Sequence, residues 1–137
     1  QNSKDETLVA IAKKSLKEAS YHRRFSSDWI KRLGDGTEES NRKIQLAIND
    51  LWRFTEELFH KTKADIEAIK EGVGVDTDKL KEKYLANVAE VLEEATLQKP
   101  VLEFFQEGGK KGIHSEHMGY LLSDMQYMQR TYPGMKW

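Results

Sequence analysis

Residues 17–40 read KEASYHRRFSSDWIKRLGDGTEES. This stretch predicts the second half of one long helix, a Gly-Asp-Gly corner, and the start of a second helix. Upstream and through it, Leu8, Ile11, Ala12, Leu16, Ala19, His22, Phe25, Trp29, Ile30 and Leu33 recur at spacings of three and four, so a helix is expected from about Lys4 to Leu33 with a broad apolar stripe. Gly34, Asp35 and Gly36 offer the positive-φ freedom that ends helices, and Thr37 can cap the next one, with Glu38 and Glu39 in its first turn against the dipole. So tight a link favours an antiparallel hairpin.

Downstream, Ile44, Ala47, Ile48, Leu51, Trp52, Leu58 and Phe59 keep the helical period, and the pattern predicts a second helix running on through Ile66 and Ile69 until Gly72 and Gly74. Asp76, Thr77 and Asp78 form a capping cluster for a third helix, which presents Leu80, Tyr84, Val88, Val91, Leu92 and Ala95 on one side and is closed by Pro100. Residues 101–106 suggest a helical turn or two, and residues 108–112, Gly-Gly-Lys-Lys-Gly, a flexible link. A fourth helix is expected from near Ser115 to before Pro133, with Met118, Leu121, Leu122, Met125 and Met128 inward, followed by an extended tail through Trp137. The expected architecture is all-α: a long-helix hairpin plus two shorter helices in one domain over residues 1–137.

The totals fit that picture. With 22 Lys and Arg against 23 Asp and Glu, a net charge of −1 gives no footprint for gripping nucleic acid or an anionic membrane. No apolar run approaches membrane length and no signal peptide is evident, which reads as cytoplasmic. The absence of cysteine excludes disulfides, thiolate metal sites and Cys nucleophiles.

Candidate chemistry is thin. Glu18 with His22 is the best carboxylate and imidazole pair, yet in metal-binding bundles Glu-x-x-His projects both ligands inward from i and i+3, and here position i+3 is Tyr21. His22 lies on the apolar stripe, where a hydrogen-bonded core histidine is the commoner outcome. Glu57-Leu-Phe-His60 matches Glu-x-x-His in letters, although a solvated Glu and an outward His explain it as well. His114, Glu116 and His117 cluster at the start of the fourth helix, where two imidazoles could share an ion but lack a visible third ligand; an interface role is the better functional alternative. Arg23, Arg24, Lys31 and Arg32 make the first helix locally basic. They suit either a solvated face or a dock for an acidic partner or a phosphate-bearing ligand. No Gly-rich phosphate loop and no Ser-His-Asp set is present.

Three long ungapped blocks carry a resemblance: residues 17–40, the LAINDLWRFTEELF of residues 46–59, and the ending GGKKGIHSEHMGYLLSDMQYMQRTYPGMKW. Together they resemble the C-terminal portion of the C-type subunit in the ring-1,2-phenylacetyl-CoA epoxidase family of bacterial phenylacetate degradation, with the likeness running from about Asp5 to Trp137. The resemblance implies a ferritin-like bundle. It also implies a noncatalytic structural role beside a related di-iron protein that performs the oxygenase chemistry. In that family the catalytic partner bears Glu-x-x-His on the helix resembling the first helix here; the matching place in this chain is Glu18-Ala-Ser-Tyr21, a degenerate remnant. No catalytic residue, cofactor or metal is therefore expected on this chain, and di-iron is expected in the partner. A freestanding metal-dependent bundle enzyme using Glu18, His22, Glu57 and His60, or a helical adaptor unrelated to oxygenases, are the alternatives.

The family's N-terminal portion has no counterpart in these blocks, and Gln1 stands where an initiating Met would, so the chain is expected to be the C-terminal part of a longer protein. Its apolar band agrees, because Leu8, Ile11, Leu16, Phe25, Trp29 and Ile30, joined by Trp52, Phe54 and Phe59, spread wider than one hairpin partner covers. A second copy, or a chain supplying the N-terminal helices, is expected to cover it, alongside the catalytic partner.

Overall fold

The computed structural model describes residues 2–136; Gln1 and Trp137, to which the expectations about the chain start and the extended tail partly refer, lie outside the described residues. Five α-helices follow one another: α1 (Glu6–Gly34), α2 (Glu38–Leu51), α3 (Lys63–Lys70), α4 (Asp78–Glu94) and α5 (His117–Thr131). Single 3₁₀ turns at Trp52–Phe54, Glu56–Phe59 and Gly109–Lys111 punctuate them, and no strand occurs among the described residues. The chain is all-α, as its periodicity predicts. It divides into two compact units, one ending at Glu107 and the other beginning at Gly108.

In the first unit, local chemistry sets the helix starts. Asp5 caps α1 by accepting from the Leu8 amide at 2.9 Å. Thr37 and Ser40 cap α2 reciprocally, and Thr62 and Asp65 do the same for α3, each pair satisfying two amides that helix geometry leaves orphaned. The α1–α2 hairpin forms as expected, but the glycines at its corner act differently from the expectation. Neither Gly34 nor Gly36 is among the described glycines with positive φ. Gly34 is needed because α4 comes too close for a side chain: a Cβ there would lie 2.2 Å from the Ala95 carbonyl oxygen and 2.8 Å from the Ala95 methyl.

The end of α4 completes this contact. Thr96 takes the left-handed conformation (φ 56°) that glycine usually supplies after a helix. Leu97 N–H then bonds the Leu92 carbonyl at 2.9 Å and Thr96 N–H the Glu93 carbonyl at 3.0 Å, a Schellman closure that buries Leu97 against Leu92. The strain at Thr96 is offset by its hydroxyl, which donates to the Gly34 carbonyl at 3.2 Å and accepts from the Asn41 amide at 3.2 Å. Asn41 also donates to the Gly34 carbonyl at 2.7 Å. Leu92, Ala95 and Leu97 are the buried cluster, with Ile30, Ile44, Ile48 and Val88 packed around it.

Several expectations fail here. The second helix does not run to Ile69: the Arg53 carbonyl is taken by the Gln106 amide at 2.8 Å and the Thr55 hydroxyl bonds the Trp52 carbonyl at 2.8 Å, so the chain tightens into 3₁₀ turns and turns extended at His60. The second arm of the hairpin is therefore short. Trp52, expected outside the inner stripe, is buried at 8% exposure, whereas Trp29 remains 45% exposed. The third helix stops at Glu94, before Pro100, and residues 101–106 form no helix.

The second unit is α5 with its approach. Gly108 and Gly112 both hold positive φ (119° and 83°) around the Gly109–Lys111 turn, which the Ile113 amide closes onto the Gly108 carbonyl at 2.9 Å. The Leu121, Leu122, Met125 and Met128 side chains, expected inward, are exposed.

Candidate functional site

One side of α1 carries an exposed apolar row in the first unit. Ile11, Tyr21, Phe25 and Trp29 are each about half exposed or more. Helical spacing stacks the aromatic members into a row. Tyr21 and Phe25 lie nearly face to face with ring centroids 5.9 Å apart, and Phe25 meets Trp29 edge-on at 6.3 Å. Cations cover the ends of the row, with the Arg24 guanidinium 6.0 Å from the Tyr21 ring and that of Arg32 5.6 Å from the Trp29 ring. Aromatic bodies with fixed rings and cationic edges are the composition that protein–protein contact cores favour.

Glu18 and His22 sit on this same face. Glu18 Oε1 lies 3.4 Å from His22 Nε2, with the two side chains 78% and 65% exposed. His22 is therefore not a core histidine; it stands in solvent with its ring against the Tyr21 edge at 5.7 Å. Tyr21 occupies the position where an i+3 imidazole would point beside Glu18.

The other candidates are placed apart in kind. Glu57 lies in the second 3₁₀ turn and His60 is the extended residue that ends it, so the regular helical projection of a Glu-x-x-His pair is lost there. Both are half-buried, which corrects the expectation of a solvated pair. His114, Glu116 and His117 are all exposed, His114 before α5 and His117 at its first residue. Among the described residues, no three His, Cys, Asp or Glu side chains group closely enough to hold a metal ion. Two donors on an exposed helix face do not fit a di-iron centre, which needs carboxylates and imidazoles converging from several helices.

One polar cluster has no counterpart in the sequence expectations. Lys61 Nζ reaches Asp76 Oδ1 at 2.7 Å and Asp78 Oδ2 at 2.5 Å, pinning the start of α4 to the segment before α3. The hydrogen bond to Asp76, then that to Asp78, raises the Lys61 ammonium above its ordinary value, and the bond from Lys61 holds the Asp76 carboxyl below its own. Thr77, expected to cap α4, instead donates its hydroxyl to the Phe59 carbonyl at 2.8 Å. The aspartates are legible only as caps because nothing local in the sequence points from residue 76 back to residue 61.

No helix among the described residues is long and apolar enough to cross a membrane. Comparison with known proteins gives two findings. The family described as "Phenylacetic acid catabolic protein" matches residues 1–137. The chain is also similar to the C-type subunit of the 1,2-phenylacetyl-CoA epoxidase of Escherichia coli (strain K12), with 49% identity over 135 residues, covering 98% of this chain and 54% of that protein. The chain thus spans about half the length of the curated relative it matches.

Proposed function

The chain belongs to the phenylacetic acid catabolic protein family, and from that premise we propose that it is the structural, noncatalytic part of a phenylacetyl-CoA epoxidase, holding the partner that carries the di-iron centre. The observation that carries this reading is the exposed aromatic face of α1. A row of Tyr21, Phe25 and Trp29 left half in water is what a helix looks like when its neighbour is another chain or segment. Its own chemistry is poor: Glu18 with Tyr21 at i+3 offers one carboxylate where a metal site would need a converging set. In this reading α1 contributes binding area and orientation, and the oxygen chemistry on an aromatic acyl-CoA thioester belongs to the partner.

Co-purification tests it. The protein is expressed with the epoxidase catalytic subunit and is expected to bring that subunit through purification, with iron tracking the catalytic partner. Stoichiometric iron or manganese on this chain alone, lost in Glu18→Ala, would favour the metal-enzyme alternative; absence of any complex would favour an unrelated adaptor.

A further inference from the structure

We propose that residues 61–77, with α3 at their middle, are a strap latched by ion pairs, which opens as one unit while the α1–α2–α4 core stays folded and so frees the entry to α1. This device is independent of the docking role of α1. The two ends of the segment are fastened close together. Lys61 Nζ bonds Asp76 Oδ1 at 2.7 Å and Asp78 Oδ2 at 2.5 Å, and the Thr77 hydroxyl donates to the Phe59 carbonyl at 2.8 Å. A surface loop whose ends meet and whose interior satisfies its own backbone is a compact unit. α3 supplies that interior: Thr62 and Asp65 cap its start reciprocally. At its end the Val73 and Gly74 amides bond the Ala68 carbonyl at 3.0 and 2.8 Å, with Gly72 at φ 77° making the turn. Gly72 also holds the chain that enters α1. Its carbonyl accepts from the Lys4 amide at 2.9 Å, and the Lys4 stem lies so close that a Cβ on Gly72 would come within 2.8 Å of Lys4 Cε.

Little apolar burial keeps the strap shut. Every residue from 61 to 77 is half-buried or exposed, with Ile66 and Val75 more than half in water, whereas the buried Trp52, Leu92, Ala95 and Leu97 all lie outside it. Opening therefore leaves the buried cluster intact, and a segment with few buried apolar contacts opens at a free energy well below that of global unfolding. α3 has 8 residues, too few to persist as a helix once released, so the segment opens as a whole. The latch is electrostatic and reaches solvent: the Lys61, Asp76 and Asp78 side chains are 25%, 27% and 70% exposed. Salt screens such pairs far more than it weakens apolar packing, which makes ionic strength a lever on the strap and not on the core.

Native-state hydrogen exchange, read amide by amide by NMR in increasing sub-denaturing urea, tests this. The amides of residues 66–74 are expected to share one opening equilibrium, less protected than Leu92 and Ala95 and with a shallower urea dependence, because little surface is exposed. The Lys4 amide, whose acceptor belongs to the strap, should be protected no better than they are. Ile48→Val trims the packing around the buried cluster and should speed exchange at Leu92 and Ala95 about fivefold while leaving residues 66–74 unchanged, since the core is intact in the open state. Lys61→Met should speed residues 66–74 about fivefold. Added salt should accelerate the same amides in the parent, and that response should vanish or reverse in Lys61→Met, where Asp76 and Asp78 are left as neighbouring like charges. Protection of residues 66–74 equal to that of Leu92 and Ala95, acceleration of both groups alike by Ile48→Val, unchanged exchange in Lys61→Met, a parent indifferent to salt, or a Lys4 amide better protected than the strap would each overturn the proposal.

Discussion

Replacing Gly34 by alanine should unlock the one place where α1, α2 and α4 come together. The added methyl would lie 2.2 Å from the Ala95 carbonyl oxygen and 2.8 Å from the Ala95 methyl. Backbone is what it meets, so no rotamer change relieves the overlap and the helices must separate. Overpacking of a tight contact costs about 1–3 kcal/mol, and a backbone clash belongs at the upper end. Separation also loosens the two bonds to the Gly34 carbonyl, from Asn41 at 2.7 Å and Thr96 at 3.2 Å, each worth about 1 kcal/mol. Against this, alanine gains at most about 1 kcal/mol over glycine as a helix residue. The net loss is about 4 kcal/mol, or roughly 15 °C in melting temperature for a unit of this size. Thermal melts followed by circular dichroism read it directly. Gly119→Ala in α5, where a Cβ meets nothing within 4 Å, is the control and should melt at or slightly above the parent. A Gly34→Ala protein that melts with the parent would show that the α1–α4 contact is not the close approach described.

Trp52→Ala should cost about 3–5 kcal/mol because the indole is buried, while Trp29→Ala should shift the melt of the free chain by less than about 1 kcal/mol; chemical denaturation of both variants ranks them. Thr96→Val keeps the strained backbone and removes the hydroxyl that offsets it, so it should be less stable than Thr96→Gly, which relieves the strain, as a direct comparison of melts would reveal. The Lys61 cluster fixes a pH window. Because the Asp76 carboxyl is lowered from 3.8, its contribution is present above that pH and is lost as pH falls through the lower folded-state value. Lys61 is raised from 10.5, so its contribution holds below that pH and is lost as pH rises through the higher folded-state value. Stability differences between the parent and Lys61→Met, measured across pH, should be flat between these limits and shrink beyond both.

Local signals are legible in the sequence and distant ones are not. Thr37 and the short corner predict the hairpin, since capping and loop length act within a few residues. The break after Leu51 is invisible: Leu58, Phe59, Ile66 and Ile69 keep a helical period, and what interrupts them is the Gln106 amide arriving at the Arg53 carbonyl from far along the chain. Gly34 stands out in the sequence for a reason the structure replaces, because a pattern of Gly-Asp-Gly suggests positive φ while the actual demand is space beside Ala95. At the candidate site, Glu18, Tyr21 and His22 are all legible as residues. Their exposure is half legible, since a stripe too wide for one neighbour announces an uncovered face, but periodicity alone places His22 inside. The Lys61 and Thr96 networks join residues too far apart in sequence for any motif to hold them.

The central claim is that α1 presents its aromatic face to the catalytic partner. Multi-angle light scattering of the full-length protein mixed with the purified epoxidase catalytic subunit tests it most directly, when the parent is compared with a Phe25→Asp, Trp29→Asp variant whose own melt is unchanged. The account predicts a stable hetero-complex with the parent and its loss in the variant. A variant that forms the complex as well as the parent, or a parent that elutes apart from the catalytic partner, would contradict it.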